Sequence, residues 1–329
     1  MVFDLTFFFG ILVFPGLLFI LTLALLYDWI ERKMAARMQN RMGPSFAGPA
    51  GILQPLADYI KLFTKEEIIP EGVNTFIYTL SPIISFSIFV LAILFIPING
   101  LNVFGSAGFE GDLLLIFALA TFGSFTIFLS GWSSSNPYSE MGSVRVLYQF
   151  LGYDIPTILL AISPAMLAGS LSMTNIVRMQ AIPFVFIIPW VFVLFTISMQ
   201  AELEEDPFDI PHAGTEIVAG YETEFSGGKL AFLNLTRDMQ IVFGAAVTVT
   251  LFLGGPLGPV LFSPSWLWYT LWFVLKSILV ICIIEGIECA CARLRIDQVI
   301  RGNWKLMIPL SIASLITTIV LRSFIAFVV

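Results

Sequence analysis

Long runs of apolar residues constrain this chain more than any other feature of its sequence. A helix that crosses the hydrocarbon core of a bilayer needs about 20 mostly apolar residues. Hydrophobic residues make up 58% of the 329 residues and charged ones only 12%, a balance that is too apolar for a water-soluble surface. The sequence therefore predicts an all-α integral membrane protein, a single membrane domain over 1–329 with eight transmembrane helices. The predicted spans are 5–27, 76–97, 113–132, 146–173, 182–200, 239–262, 266–285 and 305–327.

The composition also excludes several kinds of redox site. The chain contains one histidine, His212, so a haem held by two histidines cannot form within it. Its three cysteines are too few for a four-thiolate iron–sulfur cluster, and Cys289 and Cys291 lack the two-residue spacing of zinc sites. The net charge of −7 argues against nucleic acid as a partner. We therefore expect this chain itself to bind no metal and no cofactor.

Basic residues predict the orientation of the chain in the membrane. Most of the 16 Lys and Arg residues fall in the loops after the first, third, fifth and seventh predicted helices, whereas the even loops contain only Arg178. Loops rich in Lys and Arg face the cytoplasm. The odd loops are therefore expected on the cytoplasmic side of the plasma membrane, and both chain termini outside.

The first loop contains a further predicted helix, over 52–65. Its polar residues Gln54, Asp58, Lys61 and Lys65 recur at helical spacing, and apolar residues fill the rest of the circumference. A helix with one narrow polar stripe lies in the membrane interface, here on the cytoplasmic side. Two interpretations remain open: the helix covers a site beneath it, or it is an ordinary surface-lying helix.

Acidic residues are concentrated in the predicted fifth loop and its flanks, 201–238. Crowding and partial burial raise carboxyl pKa values toward neutrality, so such groups can take up and release protons. Asp154 lies within the fourth predicted span, with Glu140 just before it, and an acid at membrane depth usually belongs to an ion pathway. Each acid taken alone also fits a structural role as a salt-bridged or interfacial residue. The acids of the loop are Glu202, Glu204, Glu205, Asp206, Asp209, Glu216, Glu222, Glu224 and Asp238.

Motifs spread over nearly the whole chain resemble one family. They resemble the H subunit of respiratory complex I, which is subunit 1 in mitochondria, and its relatives in membrane-bound nickel–iron hydrogenases. Asp154 stands where the family usually has glutamate. The segments that carry the resemblance are Glu31 to Lys33, Gln39 to Pro44, Gln54 to Glu66, Gly131 to Asp154, Pro207 to Gly227 and Arg293 to Gln298.

The resemblance implies a place at the heel of an L-shaped complex, where the membrane arm meets the peripheral redox arm. It implies partner subunits that carry iron–sulfur clusters and, in hydrogenase-like large and small subunits, a nickel–iron centre. Antiporter-like membrane subunits and lipid would surround the chain. The residues expected at the docking surface for the peripheral arm are Arg32, Arg41, Glu204, Glu205, Asp206, Arg293, Arg295 and Asp297.

The resemblance also implies that acids of the fifth loop and the fourth helix begin a hydrophilic path that links redox chemistry to ion pumping. By position this assigns Glu202, Asp209, Glu216, Glu224 and Asp154. Together with the neighbouring Glu140 and Glu222, these acids form the predicted relay for protons or ions. The chain would carry out no redox chemistry by itself.

Some residues depart from the family pattern, and these departures indicate which branch of the family the chain resembles. Quinone-reducing relatives have Asn-Arg and a small residue before Pro-Phe-Asp, whereas Glu204, Glu205 and Asp206 stand here. An arginine that could stabilise a developing quinol anion is thus missing from the loop. The pattern is similar to the hydrogenase and sulfur-reducing members, in which ferredoxin oxidation drives H+ or Na+ translocation. The alternatives are a quinone-site subunit of an NADH- or ferredoxin-quinone oxidoreductase and a lone secondary transporter.

Overall fold

The computed structural model describes residues 5–100, 109–212, 214–260 and 263–328, and within these ranges the chain forms helices and turns but no strand. The helices are α1 Leu5–Leu12, α2 Leu17–Met38, α3 Gln54–Thr64, α4 Thr75–Leu94, α5 Asp112–Ser133, α6 Pro137–Ala168, α7 Met173–Met179, α8 Phe184–Ile187, α9 Pro189–Glu202, α10 Gly214–Ile217, α11 Gly227–Phe252, α12 Ser265–Ala290, α13 Ile296–Gly302 and α14 Ile308–Val328. A π-helical turn, Asn303–Met307, joins the last two.

Seven helical segments in the described ranges are long and apolar enough to cross a membrane. Each corresponds to one of the eight predicted spans, so the all-α membrane architecture is confirmed. The first segment includes the short turn between α1 and α2, and the last includes α13 and the π-helical turn. The segments are Phe9–Met38, Thr75–Leu94, Asp112–Ser133, Pro137–Ala168, Gly227–Phe252, Ser265–Ala290 and Ile296–Phe324.

The remaining predicted span, 182–200, is not a continuous helix. α8 ends at Ile187 and α9 begins at Pro189, and Ile188 between them has a non-helical ψ of 59°. Proline lacks the N–H donor that a continuing helix needs, and its ring clashes with the preceding turn. The uninterrupted part has 14 residues, fewer than the about 20 that a full crossing requires. The fifth run is therefore a broken helix, a correction to the continuous span that hydropathy predicts.

Several other boundaries move, and the largest moves place charges on helices. α2 continues past the predicted end at Tyr27 to Met38. α11 begins at Gly227 rather than at 239, so the acidic loop spans only 203–226 instead of 201–238. Asp154 lies past the middle of α6 rather than near its start. A hydropathy window ends at the first charged residues, whereas the helical hydrogen-bond ladder continues through them, which accounts for each difference.

α11 is the central helix of the bundle. It contacts α2, α3, α4, α9 and α12, and every residue from Met239 to Phe252 is buried. Apart from Gln240, these side chains are small or apolar all around the helix, as expected for a helix that other helices surround. The position of α11 therefore determines where the charged residues on its first turns lie.

A lysine from the following span closes the end of α11. Lys276 Nζ donates hydrogen bonds to the carbonyl oxygens of Leu253, Gly255 and Leu257, at 2.7, 3.0 and 2.7 Å. The last carbonyls of a helix have no partner within it, and no water replaces that partner inside hydrocarbon. The Lys276 ammonium group therefore satisfies backbone oxygens that would otherwise be unpaired at membrane depth.

Replacing Lys276 by methionine should lower the stability of the subunit. The side chain keeps its length but loses all three donors, and each buried oxygen left unpaired costs about 1–3 kcal/mol. The midpoint of thermal unfolding of the purified complex measures this effect, with Lys65→Met, a change at an exposed position, as the control. An unchanged midpoint in Lys276→Met would show that these hydrogen bonds do not stabilise the end of α11.

Candidate functional site

A cavity of about 370 Å³ lies between α2, α3, α11 and α12, beside the acidic loop. Most of its lining is charged, and carboxylates outnumber arginines by seven to three. The lining carboxylates are Asp28, Glu31, Asp58, Glu205, Asp238, Glu285 and Glu288, and the arginines are Arg32, Arg41 and Arg237. Charge of this density inside a membrane protein is the main structural indication of a functional site.

The amphipathic helix α3 covers this cavity with its polar side. Arg32 of α2 donates a hydrogen bond to Asp58 at 2.7 Å, and the Tyr59 hydroxyl donates to Asp238 of α11 at 2.5 Å. The apolar side of α3 is exposed, at 43% for Leu56, 57% for Ile60 and 49% for Phe63. The predicted amphipathic helix is thus confirmed as Gln54–Thr64, whereas its place in the membrane interface stays a prediction. Of the two interpretations left open by the sequence, the geometry favours a helix that covers a site.

Arg32 keeps one acid of the cavity ionised. Burial acts to raise the pKa of Asp58, but hydrogen bonds from Arg32, Lys61 and Gln54 outweigh it and hold that pKa below its usual value. Arg32 also donates to Asp28, at 2.7 Å. One guanidinium therefore joins α2 to α3 and fixes a permanent negative charge at the edge of the cavity.

A two-fold hydrogen bond connects α11 to the acidic loop. Arg237 donates from Nε and Nη2 to the two carboxylate oxygens of Glu205, at 3.1 and 3.0 Å. The Glu205 side chain is only 8% exposed. Paired, charge-assisted contacts of this geometry are among the stronger polar contacts in proteins. Glu205 is therefore held at the boundary between the cavity and the rest of the loop.

Two acids of the loop are poised to change protonation near neutral pH. Burial, together with the charge of Asp209, raises the pKa of Glu204 to about 8. Burial also raises the pKa of Glu222 to about 7, although the positive charge of Arg237 opposes the shift. Both carboxyls can therefore hold or release a proton in the range where a cell operates, as the sequence predicts for crowded acids.

The one histidine of the chain does not neutralise these acids. His212 Nε2 lies 3.8 Å from Glu204 Oε2. Burial lowers the pKa of His212 to about 3, so the imidazole is neutral at neutral pH. The contact is therefore one between an uncharged ring and a carboxyl that is mostly protonated at pH 7, rather than an ion pair.

Beyond the loop, the acids continue toward the middle of the bundle. Glu202 ends α9 and interacts electrostatically with both Glu204 and Asp154. Its Oε2 atom is buried and has no hydrogen-bond partner among the described residues. Asp154 accepts a hydrogen bond from Thr121 Oγ1 at 3.3 Å. Glu202 therefore stands between the loop acids and the acid at membrane depth. Asp209, also predicted for the relay, lies in the loop, and its buried Oδ1 has no hydrogen-bond partner in the described ranges.

Three acids of the predicted relay lie apart from this series. Glu140 is exposed on the first turn of α6. Glu216 is 50% exposed and pairs with Arg145 at 2.6 Å, and the hydrogen bond from Arg145 lowers its pKa. Asn136 donates a hydrogen bond to the Glu224 carboxylate. The geometry does not bring these three side chains to the cavity, and their part in a relay stays a prediction.

The residues predicted for docking divide into two groups. Arg32, Arg41 and Glu205 line the cavity, and Glu204 and Asp206 are close to it in the loop. Arg293 donates to the carbonyl oxygen of Ile210 at 3.3 Å and so supports the loop from outside. Arg295 precedes α13, where its backbone N–H donates to Gln298 Oε1 at 3.1 Å, and Asp297 is exposed in the first turn of that helix.

Sequence reasoning left several cavity residues out of the predicted site. Asp28 with Glu31, and Glu285 with Glu288, are each three residues apart on a helix, a spacing that places both acids of a pair on one face. That spacing is a signal available from the sequence. The remaining omissions are Asp58, Tyr59, Arg237 and Asp238. The sequence places Asp58 in a polar stripe and Asp238 in an acid-rich segment, but no local pattern shows that they share a cavity, because their partners come from distant segments.

Within the part of the chain that the structure describes, no group of three or more His, Cys, Asp or Glu side chains is arranged to hold a metal ion. Four of the cavity acids are instead paired: Asp28 and Asp58 with Arg32, Glu205 with Arg237, and Asp238 with Tyr59. The chemistry that the arrangement supports is the uptake and release of protons.

Comparisons with known proteins agree with the resemblance in the motifs. A family profile described as NADH dehydrogenase matches residues 11–319. The NADH-quinone oxidoreductase H subunit of Dehalococcoides mccartyi strain CBDB1 is 38% identical over 301 residues, 91% of this chain and 83% of the relative. The corresponding H subunit of Carboxydothermus hydrogenoformans is 37% identical, with 94% and 86% covered. An H subunit of Geobacter metallireducens is 36% identical, with 91% and 92% covered.

Replacing Glu204 by glutamine should flatten the pH dependence of stability. Because the folded-state pKa is about 8 against an ordinary value of 4.5, ionising Glu204 costs more in the folded state than in the unfolded state. Its contribution to stability is therefore lost as the pH rises from 4.5 through 8. Thermal unfolding across that range should show a weaker decline in Glu204→Gln than in the wild type.

The matched control for this measurement is Glu71→Gln, a change of the same kind at an exposed position in the first loop. It should retain the wild-type decline. An equally steep decline in Glu204→Gln would show that Glu204 is not the group with the raised pKa.

Proposed function

Because this chain belongs to the NADH dehydrogenase family, as a membrane subunit related to subunit 1 of mitochondrial complex I, we propose that it couples electron transfer in a partner subunit to ion translocation. Protonation of the carboxyls in the cavity and the loop would carry the coupling. The chain itself would bind no redox cofactor, and iron–sulfur clusters in peripheral partner subunits would supply the electrons. Antiporter-like membrane subunits would complete the path for the ion.

One observation carries this proposal: the acids form an ordered series from the cavity to membrane depth. Glu205 borders the cavity and is adjacent in sequence to Glu204, which interacts with Glu202, and Glu202 interacts with Asp154. Members of such a series influence one another, because two unit charges 4 Å apart interact by about 4 kcal/mol at an effective dielectric constant of 20. A change of charge at the cavity would therefore alter protonation further along the series.

The partner's electron transfer must supply the energy. Moving one elementary charge across a membrane potential of 100 mV costs about 2.3 kcal/mol. A shift of one pKa unit corresponds to about 1.36 kcal/mol, so changes of a few units are sufficient in magnitude. The carboxyls of Glu204 and Glu222 are suited to such changes, since their pKa values of about 8 and 7 lie close to ambient pH.

For the electron acceptor we favour a quinone over the hydrogenase-type chemistry that the loop sequence suggests. The relatives that match this chain are quinone oxidoreductase subunits by name. The loop lacks the arginine of quinone-reducing members, but the structure brings Arg237 of α11 to Glu205 and places Arg32 and Arg41 in the same cavity. These guanidinium groups could stabilise negative charge that develops on a reduced quinone.

A second candidate, the hydrogenase-type complex, rests on the charge of the cavity. Seven carboxyl groups against three arginines make the cavity rich in groups that bind protons or Na+ rather than an anionic quinol. In that case ferredoxin would donate electrons for the reduction of protons or sulfur species, and hydrogenase-like subunits would be the peripheral partners.

The peripheral partner would dock on the cytoplasmic side, where we place the odd loops. Two apolar side chains in the loop after α2 are almost fully exposed, Met42 at 94% and Phe46 at 99%. They follow Arg41, which lines the cavity. Exposed apolar groups beside a functional site are typical of a protein–protein interface. The membrane that we propose for the complex is the plasma membrane, whose inner face meets the cytoplasm.

The acceptor can be tested on the purified complex. It should reduce a soluble quinone analogue, and quinone-site inhibitors should block this reaction while electron transfer to an artificial acceptor on the peripheral arm continues. Replacing Tyr59 by phenylalanine, which removes the hydrogen bond that holds α3 over the cavity, should raise KM for the quinone. Evolution of hydrogen without any quinone reduction would favour the hydrogenase-type complex instead.

The coupling is tested by Asp154→Asn and Glu204→Gln in the whole complex. Each amide removes one protonatable member of the series, and the loss of a positioned acid–base group typically reduces a rate by about 100-fold. Ion translocation in proteoliposomes should fall accordingly, with the redox centres of the partner still assembled. Glu71→Gln is the control. Normal ion-to-electron ratios in both variants would refute the proposal.

A further inference from the structure

A second cavity lies at the end of the bundle opposite to the acidic loop. α6 begins against that loop, where Gly142 packs on Gly220, and the cavity lies at the other end of the helix, at Gly169. Its volume is about 450 Å³, within the range of about 300–1,000 Å³ that is usual for ligand pockets. We call it the end cavity. Its lining comes from α5, α6, α14 and the turns that precede α5 and follow α6.

The lining of the end cavity combines one cation, one anion and an apolar wall. Among the described residues that line it, Arg322 of α14 and Glu110 before α5 are charged. Both are exposed, and they form no ion pair with each other within the described ranges. Leu114, Ile162 and Met166 contribute apolar surface. A ligand that carries a charge of each sign and an apolar body matches this lining.

Packing holds the guanidinium group of Arg322 over the end of α6. A side-chain carbon added at Gly169 would lie 2.8 Å from Arg322 Nη2, so a larger residue there would displace the guanidinium group. Gly169 also has a left-handed φ of 73°, which favours glycine at the end of the helix. A cation beside the last carbonyl groups of a helix is favourable. Arg322, the one charged residue of α14, is therefore placed at the end cavity by its surroundings.

Ser170 supplies a hydroxyl donor to the same cavity. Its Oγ accepts hydrogen bonds from the Ser172 backbone N–H at 3.2 Å and from Asn175 Nδ2 at 3.3 Å. A serine hydroxyl has two acceptor positions and one donor, so its hydrogen is left to point at an oxygen of a ligand. Arginine is a common partner of phosphate in proteins. The polar side of the end cavity therefore suits a phosphate group.

The apolar side continues along the outer face of α6. Ile162 and Met166 are four residues apart, a spacing that places them on one face of the helix. Leu151 and Ile155 extend the same face toward the middle of the bundle and are 53% and 46% exposed. This helix is long and apolar enough to cross the membrane. An acyl chain can therefore lie along it while its headgroup occupies the end cavity.

We propose that the end cavity binds a phospholipid whose headgroup carries a primary ammonium, the phosphatidylethanolamine class. The phosphate accepts hydrogen bonds from Arg322 and Ser170, and the ammonium group donates to Glu110. One acyl chain lies against Ile162 and Met166. This lipid joins the ends of α6 and α14 on the side of the membrane that we place outside. The site does not depend on the proposed function, since none of these residues belongs to the series of acids.

Glu110 gives the site its preference among lipids. The quaternary ammonium of phosphatidylcholine has no N–H to donate to the carboxylate. Phosphatidylglycerol has no cation at all, so its net negative charge is placed beside Glu110 without compensation. Phosphatidylethanolamine matches both charged residues of the lining.

A photoreactive lipid tests the inference in the whole complex. The complex is reconstituted in proteoliposomes that contain phosphatidylethanolamine with a diazirine in one acyl chain, and crosslinked peptides are mapped by mass spectrometry. Crosslinks are expected in the α6 peptide that contains Ile162 and Met166. Unlabelled phosphatidylethanolamine should compete for them more strongly than phosphatidylcholine or phosphatidylglycerol.

Two variants separate the charges of the site. Arg322→Gln should reduce the crosslinks about 10-fold, the scale of loss for one hydrogen bond to a charged group. Arg178→Gln, the same change at an arginine that lines a different cavity, should leave them unchanged. Glu110→Gln should remove the preference over phosphatidylglycerol. If Arg322→Gln does not assemble, Ser170→Ala replaces it and should also weaken crosslinking.

Two results would overturn the inference. Wild-type complex without crosslinks in this α6 peptide would show that something other than lipid, such as a neighbouring subunit, covers the end cavity. Stronger competition by phosphatidylglycerol than by phosphatidylethanolamine would show that Arg322 selects an anionic lipid and that Glu110 takes no part in binding.

Discussion

The arrangement of charge in this protein depends on the ion pair between Arg237 and Glu205. Arg237 lies on the central helix α11 and Glu205 in the acidic loop, so the pair fixes the loop against the bundle. A buried carboxylate without its partner would be costly, which makes the position of the loop follow from the position of α11. This contact therefore determines the positions of the cavity, of the neighbouring Glu204 and of the entry to the deeper acids.

The acids are of two kinds, according to whether hydrogen-bonding partners stabilise their ionised form. Asp58 stays ionised because hydrogen bonds from Arg32, Lys61 and Gln54 favour the charged form. Glu204 and Glu222 are buried and have no equivalent partner among the described residues. Burial destabilises the ionised form relative to the neutral form, so the pKa of each rises. A relay needs both kinds, since fixed charges set the local potential and groups near their pKa respond to a change in it.

The structure also changes the argument about the electron acceptor. The resemblance implies that the loop lacks the arginine of quinone-reducing members. Arg237 of α11 nevertheless lines the cavity, together with Arg32 of α2 and Arg41 of the following loop. A positive charge that is missing from one segment can be supplied by another segment, because the electrostatic energy depends on distance in space and on the dielectric surroundings, not on distance along the chain.

Sequence alone determined the membrane class, the approximate positions of the spans apart from the broken fifth, the amphipathic helix in the first loop and the acid-rich segment, but not where several helices begin and end. These features depend on local composition and period, which the chain displays directly. The tertiary structure decided which acids share a cavity, which are paired and which are buried. Tyr59 and Asp238 are 179 positions apart yet share a hydrogen bond, and Glu216 pairs at the surface while Glu204 is enclosed. Burial and partners set the energy of a charge, and both are properties of the packed bundle that no local pattern contains.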